Sequence, residues 1–463
     1  MKRLMRCLYC GWLQDEPAGV KSCMRCGGEL KWEPMPGKAD RAGYVTVRME
    51  LDQVSAPAGR DVDRHLLITL KTPAEPPAEY AAHTQTHRPR LGFSAILDAS
   101  GSMNGEKLVQ AKEGVRQALH RLSAGDAISL VTFASDVRSV MEPADAEGAA
   151  RVVESALAEI TAGGMTALCA GLELGLAKSR AMTHESRLAL LLSDGQANVG
   201  DTDLERIGAR ALAARQEGIV VSTLGVGVDY NEALMAEIAN QGGGRFYHVT
   251  HPHQLATFIA GELGEAASIV ARDVELVLNL PAGATVSPLS TAFTARQSGC
   301  TATVAVGDIP GDIELEVTLR LTLPAQAAGM RVSVDGELRY RAPSGAEVRA
   351  PINRVTARFE ETAHFAPRDG VVAPVVEKVL AQIRAADVLN VAREMARDAR
   401  SGAKRAVTSV EAARAYASLL GDEVAAQEEA RTRDLLHGMA DGARAKSTVA
   451  NAQAYIRKSR IKD

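Results

Sequence analysis

Between Leu91 and Ala266 short apolar runs alternate with amphipathic stretches of helical period, and no other feature restricts the fold as strongly. Strand-length runs occupy Leu91–Asp98, 127–134, 187–193, 219–226 and 245–249, with a shorter one at 137–141. The intervening spacing predicts helices over 105–122, 146–160, 167–182, 204–216, 231–240 and 252–263. A parallel strand can return only through a crossover. This order of elements therefore demands a doubly wound, mostly parallel sheet with helices on both faces. In such open sheets ligands bind outside the carboxyl ends of the strands. The residues that follow each run are thus the candidates for chemistry.

The first run ends Ile96-Leu97-Asp98-Ala99-Ser100-Gly101-Ser102. One carboxylate and two hydroxyls at alternate positions, just past a strand end, can converge on one point. They offer oxygen only, which suits Mg²⁺ and its preference for about six oxygens at roughly 2.0–2.1 Å. Two further pieces lie downstream. Gly163-Gly164-Met165-Thr166 presents a hydroxyl before a helix, and Leu190-Leu191-Leu192-Ser193-Asp194-Gly195 is an apolar strand ending in a carboxylate. Taken singly, each of these residues reads equally well as a helix cap or turn residue. Five in step with strand ends form a set: Asp98, Ser100, Ser102, Thr166 and Asp194.

The pattern Asp-x-Ser-x-Ser, then Thr, then Asp resembles the von Willebrand factor A (VWA) family and its metal-ion-dependent adhesion site. The resemblance covers about Leu91 to Ala266 and all five positions. It implies a VWA domain at 91–266 whose bound Mg²⁺ (or Mn²⁺ or Ca²⁺) takes an Asp or Glu from a partner protein. It also implies that the last helix of the domain can shift with occupancy. Bacterial proteins of this kind act as adaptors for other machines, including MoxR-type ATPases and kinase–phosphatase systems. The hydroxyls have a physical reason. More carboxylates would neutralise the ion and weaken its pull on the partner's acid.

Outside this region the chain changes character several times. Residues 1–40 hold Cys7-x2-Cys10 and, twelve residues on, Cys23-x2-Cys26, each pair followed by glycine. Four thiolates at this spacing resemble a zinc ribbon with a closed, structural Zn²⁺ site. Disulfides are the alternative, disfavoured in a reducing compartment. Such ribbons bind protein or nucleic acid, or simply hold a small domain together.

Residues 41–90 supply two strands, near 45–51 and 66–70, and then a Pro- and Ala-rich loop carrying His83 and His87, read as solvated. Residues 267–365 return to strands. Ile313, Leu315, Val317, Leu319, Leu321 and Leu323 alternate strictly with mostly polar residues, the mark of an antiparallel sheet with one wet face. Further strands are expected at 273–278, 330–341 and 348–359. Too few strands precede the VWA region to fold alone. One antiparallel β-sandwich built from both flanks, with the VWA domain inserted, is the simplest solution. Bacterial VWA proteins of the chloride-channel-accessory-like type resemble this order. Residues 366–463 read as a helical bundle, with an apolar stripe through Val376, Val379, Leu380, Ile383, Val388, Val391 and Met395, and helices at 412–420 and 424–439. The basic end, Arg457 onward, reads as frayed.

Composition narrows the function classes. Net charge is −4 and aromatic content 4%, which argues against a nucleic-acid surface. No run reaches the ~18 apolar residues of a membrane span, and Cys7 and Cys10 precede any apolar leader, so a cytoplasmic location is expected. No Walker, Gly-x-Ser-x-Gly or His-Glu-x-x-His motif is found. A non-enzymatic, Mg²⁺-dependent protein-binding adaptor is the leading reading. The alternatives are a nucleic-acid-binding or assembly factor acting through the ribbon and, less favoured, a Mg²⁺-dependent phosphoryl-transfer enzyme.

Overall fold

The computed structural model describes residues 43–81, 90–194, 196–227 and 229–457, and the backbone of three short strands nearer the start. Those three strands, Leu4–Cys7, Leu13–Asp15 and Leu30–Trp32, pair antiparallel with the first in the middle. The four-thiolate reading of Cys7, Cys10, Cys23 and Cys26 falls on side chains outside the described residues, as do His83 and His87.

The α/β region runs β1 (Leu91–Asp98), α1 (Glu106–Arg121), β2 (Ala127–Phe133), β3 (Val137–Asp145), α2 (Ala150–Glu159), α3 (Leu168–Ala181) and β4 (Ser186–Ser193). It continues through α4 (Leu204–Gln216), β5 (Ile219–Val226), α5 (Glu232–Gln241), β6 (Gly243–Val249) and α6 (Leu255–Ala266). These form one six-stranded sheet in the order β6-β5-β4-β1-β2-β3, parallel throughout except for the β2–β3 hairpin. β1 is buried along its whole length, as a central parallel strand must be. Phe93, Ala95 and Leu97 pack with α1, α2 and α6 residues such as Val115, Val153 and Ile259. Ile96 points the other way, among α3 to α5 residues Leu172, Leu176, Ile207 and Leu234.

Two further sheets are built from strands on both sides of this region. One has four strands, all antiparallel, in the order 285–288, 314–323, 62–71, 46–51. Its longest ladder joins Val62–Lys71 to Glu314–Leu323 across the whole α/β region. The other has six strands, in the order 294–298, 301–310, 269–279, 331–341, 347–360, 55–57. Only the short Ser55–Pro57 strand in it runs parallel to its neighbour. Leu66, Ile68, Leu70, Val317 and Leu319 of the first sheet share a buried cluster with Leu276, Leu278, Val304 and Leu338 of the second. The same cluster continues into the α5 side of the α/β region.

The chain closes with four helices, α7 (Ala373–Arg397), α8 (Ala399–Ala417), α9 (Asp422–His437) and α10 (Gly442–Arg457). One departure from the sequence reading has a local cause. α8 begins thirteen residues before the expected 412, capped by Asp398, whose carboxylate accepts from the Ser401 amide at 2.7 Å. Its first half is largely exposed and polar, so it carries no apolar stripe to read. Of the basic end read as frayed, the residues after Arg457 lie outside the described residues. Arg457 closes α10 and donates to the carbonyls of Asn240 and Ala292, both at 3.0 Å. Among the described residues no helix is long and apolar enough to cross a membrane.

Candidate metal centre

The strand order reverses between β1 and β4, since β1 leads to β2 on one side while β4 lies on the other. A crevice opens at such a switch point. Asp98 closes β1 there, and Asp194 follows β4 directly. Both side chains are fully buried. Asp98 Oδ1 accepts from the Ser100 amide at 2.8 Å, a tight turn made within the 98–102 loop. Asp98 Oδ2 accepts from the Ser193 hydroxyl at 2.5 Å, which ties β1 to the end of β4. The Ser100 and Ser102 hydroxyls lie 3.1 Å apart, and Ser102 Oγ donates to Asp194 Oδ1 at 2.7 Å. The Lys107 ammonium donates to the other oxygen, Asp194 Oδ2.

Thr166 reaches the same place through the main chain of its loop. Gly163 N–H donates to the Ala99 carbonyl at 2.9 Å, and Gly101 N–H to the Gly164 carbonyl at 3.1 Å. Gly164 turns with φ +78°, and a Cβ there would stand 2.6 Å from Ser135 Oγ, so the loop can lie this close only with glycine. Asn198 fixes Thr166 from the far side. Its Oδ1 accepts from the Thr166 amide at 2.8 Å, and its own amide donates to the Thr166 carbonyl at 3.1 Å. Asp98, Ser100, Ser102 and Asp194 are thus linked by direct hydrogen bonds. Thr166 is brought alongside by its backbone and by Asn198.

The electrostatics favour a cation. Burial pushes the Asp98 carboxyl up from its ordinary value and the Asp194 charge adds to this, against the hydrogen bonds from Ser100 and Ser193. Two carboxylates removed from water in one crevice do not both ionise unless positive charge joins them. Lys107 pairs with Asp194 alone, so ionisation of Asp98 as well would leave one negative charge for a further cation to balance. The donor set is two carboxylates and three hydroxyls, hard oxygens that fit Mg²⁺, Mn²⁺ or Ca²⁺ and offer nothing to soft metals. Among the described residues no group of three or more His, Cys, Asp or Glu side chains is arranged to hold a metal. The candidate centre is of another kind, rich in hydroxyls.

Other chemistry-bearing side chains of the domain lie apart from this crevice. Cys169 is buried in α3, where desolvation raises its thiol pKa. Tyr230 and His248 pair with each other, the phenol oxygen 2.5 Å from Nδ1. Ser193, Asn198 and Lys107 were not singled out in the sequence. Lys107 alone left a local trace, as a cation in the first turn of a helix.

An open α/β sheet with an oxygen-only, hydroxyl-rich cluster at its switch point defines a VWA-type domain. Residues 94–260 match the family model described as von Willebrand factor type A domain, so the chain carries a VWA domain. It is similar to protein sll0103 of Synechocystis sp., 27% identical over 280 residues, 58% of this chain and 66% of that one. It is also similar to YfbK of Escherichia coli, 28% identical over 286 residues, 60% of this chain and 47% of that one. The chain therefore spans less than two thirds of either relative's length. In architecture it resembles a von Willebrand factor type A protein from Catenulispora acidiphila (TM-score 0.64, 17% identity, 92% of this chain, 99% of that one). The ArnB paralog VWA2 from Sulfolobus acidocaldarius is also similar (TM-score 0.58, 17% identity, 91% of this chain, 100% of that one). At these identities the structural likeness speaks for the fold alone. VWA domains are commonly metal-dependent protein-interaction modules.

Proposed function

We propose that this chain is a non-enzymatic, metal-dependent protein-binding adaptor. Asp98, Ser100, Ser102, Thr166 and Asp194 would hold a divalent cation, Mg²⁺ in the first instance, and the ion's remaining position would take an Asp or Glu of a partner protein. The observation that carries this reading is the pair of fully buried carboxylates, Asp98 and Asp194, set among hydroxyls at the sheet's switch point. If one of the two carboxylates binds through water and not directly, an ion among these neutral hydroxyls keeps excess charge for an incoming acid. The chain's own residues orient the donors: Ser193 steadies Asp98, Asn198 steadies Thr166, and Ser102 bridges toward Asp194.

The same proposal treats the two antiparallel sheets as halves of one β-sandwich interrupted by the VWA domain. It reads Cys7, Cys10, Cys23 and Cys26 as a structural Zn²⁺ site, which places the chain in a reducing compartment such as the cytoplasm. Partners of the ATPase or kinase–phosphatase class fit an adaptor of this design.

Capture of partner protein from lysate tests the central reading, with tagged wild type in Mg²⁺, wild type without divalent ions, and Asp194→Ala in Mg²⁺. A protein held only in the first case, with circular dichroism unchanged across the three, is the expected result. Equal capture in all three would contradict it.

A further inference from the structure

We propose that Lys107 is a resident cation that competes with the divalent ion for Asp194 and so sets how readily the centre loads. This rests on the metal-dependent reading above and adds a regulator to it.

The argument starts from a local misfit. Lys107 is the second residue of α1. Peptide dipoles make a helix N-terminus positive, so acids are favoured in its first turn and an ammonium is not. The N-cap, Gly105, contributes no side-chain hydrogen bond, and Glu106 is the acid the first turn does carry. A residue that breaks a local rule points to a longer-range interaction. Here that interaction is the ion pair with Asp194, 87 positions away in the chain.

The geometry makes Lys107 a plug as well as a partner. The Asp194 side chain is 0% exposed while that of Lys107 is 27% exposed, so the ammonium stands between the buried carboxylate and solvent. Its stem runs against Gly227 in the loop after β5, where a Cβ would come 3.4 Å from both Cε and Nζ. With Ser102 on Oδ1 and Lys107 on Oδ2, both oxygens of Asp194 are engaged by the chain itself. A divalent cation drawing on Asp194 meets a like charge at contact distance, in a crevice where screening is weak. The ammonium must retreat for the ion to bind fully. Its flexible four-carbon stem already reaches solvent, so retreat is open to it.

Calorimetric titration of the 463-residue protein with Mg²⁺ tests this, comparing wild type, Lys107→Gln, Lys107→Arg and Asp194→Ala. Lys107→Met, which keeps the stem without the charge, is the second neutral variant should Gln impair folding. Removing the charge is expected to tighten Mg²⁺ binding by about tenfold, with Lys107→Arg staying near wild type. A second readout separates competition from general damage. The metal-free Tm of the neutral variants should fall, because Asp194 loses its ion partner, while Mg²⁺ raises their Tm by more than it raises that of wild type. Neutral variants that bind Mg²⁺ no more tightly than a binding-competent wild type would overturn the proposal. Lys107 would then be a positioning residue for Asp194. Absence of Mg²⁺ binding by wild type and neutral variants alike, indistinguishable from Asp194→Ala, would overturn the metal reading beneath it as well.

Discussion

Asp194 shows how much of this centre depends on single contacts made far along the chain. Its two oxygens are held by Ser102 and Lys107, each roughly 90 positions earlier. Asn198 does the same for Thr166 across 32 positions. Replacing Asn198 with alanine leaves the buried Thr166 amide without its acceptor, a loss of about 1–3 kcal/mol. Asn198→Ala should therefore lower the unfolding free energy from urea titration by that amount and weaken Mg²⁺ binding, since the Thr166 loop loosens. Calorimetry and urea unfolding check both, and unchanged Mg²⁺ affinity would show that the loop is held well enough by Gly163 and Gly164 alone. The five candidate oxygens could be picked out in the sequence because each sits at a strand end or in a glycine loop. The residues that hold them were not. A carboxylate or hydroxyl at a strand end is a local pattern, whereas Ser193 on Asp98 and Lys107 on Asp194 exist only once the strands are side by side.

Among the elements, α3 explains how the Thr166 loop is anchored. Gly171 and Gly175 lie on one helix face, and their absent side chains let the helix sit directly on β2 and β1. A Cβ at Gly171 would be 2.5 Å from Phe133, and one at Gly175 would be 2.2 Å from Ile96. Alanine is the better helix former, yet Gly175→Ala should destabilise the protein by about 1–3 kcal/mol through overpacking. A rise in thermal stability would contradict that packing.

A different element, α7, carries a pH-dependent term. Burial pushes the Asp387 carboxyl up from its ordinary value, against the Ser409 hydrogen bond and the Arg405 charge. A folded-state pKa above the unfolded one means the native state holds the proton longer. The associated stability is present at low pH and is lost as pH rises through the folded value. Relative to wild type, Asp387→Asn should thus gain stability as pH rises from about 4 toward 7. A wild-type-minus-variant difference that stays flat with pH would contradict this. α7 was legible as a stripe of Val and Leu. α10 was missed because its buried stripe, Ala445, Val449, Ala452 and Ile456, is short and half alanine, and polar contacts such as Lys446 on Glu232 at 3.0 Å and Gln453 on the Gly244 carbonyl at 3.0 Å supplement it.

Across the whole molecule the helical region acts as a clamp. Tyr416 of α8 donates to Asp52 Oδ2 at 2.9 Å, beside His65, whose Nδ1 is 2.9 Å from the same oxygen. On the VWA side Arg393 pairs with Glu237 at 2.9 Å, and Lys446 pairs with Glu232 while lying over the Tyr230 ring. Tyr416→Phe deprives the buried Asp52 of a donor and should cost about 1–3 kcal/mol, lowering Tm without changing Mg²⁺ affinity. A change in Mg²⁺ affinity would instead mean that the clamp and the metal crevice are coupled. The strict alternation from Ile313 to Leu323 marked the apolar face, but the opposite face is not wet throughout, since Glu316 and Thr318 are also buried and Lys378 of α7 pairs with Glu316. Nor did it tell that the partner strand is Val62–Lys71, because period two carries no information about pairing across a long insertion.

The most direct test of the account is anomalous diffraction from crystals of the 463-residue protein grown with Mn²⁺. A single peak among the oxygens of Asp98, Ser100, Ser102, Thr166 and Asp194, absent in Asp194→Ala, is the predicted result. No peak at that crevice at saturating Mn²⁺, or a peak that survives Asp194→Ala unchanged, would contradict it.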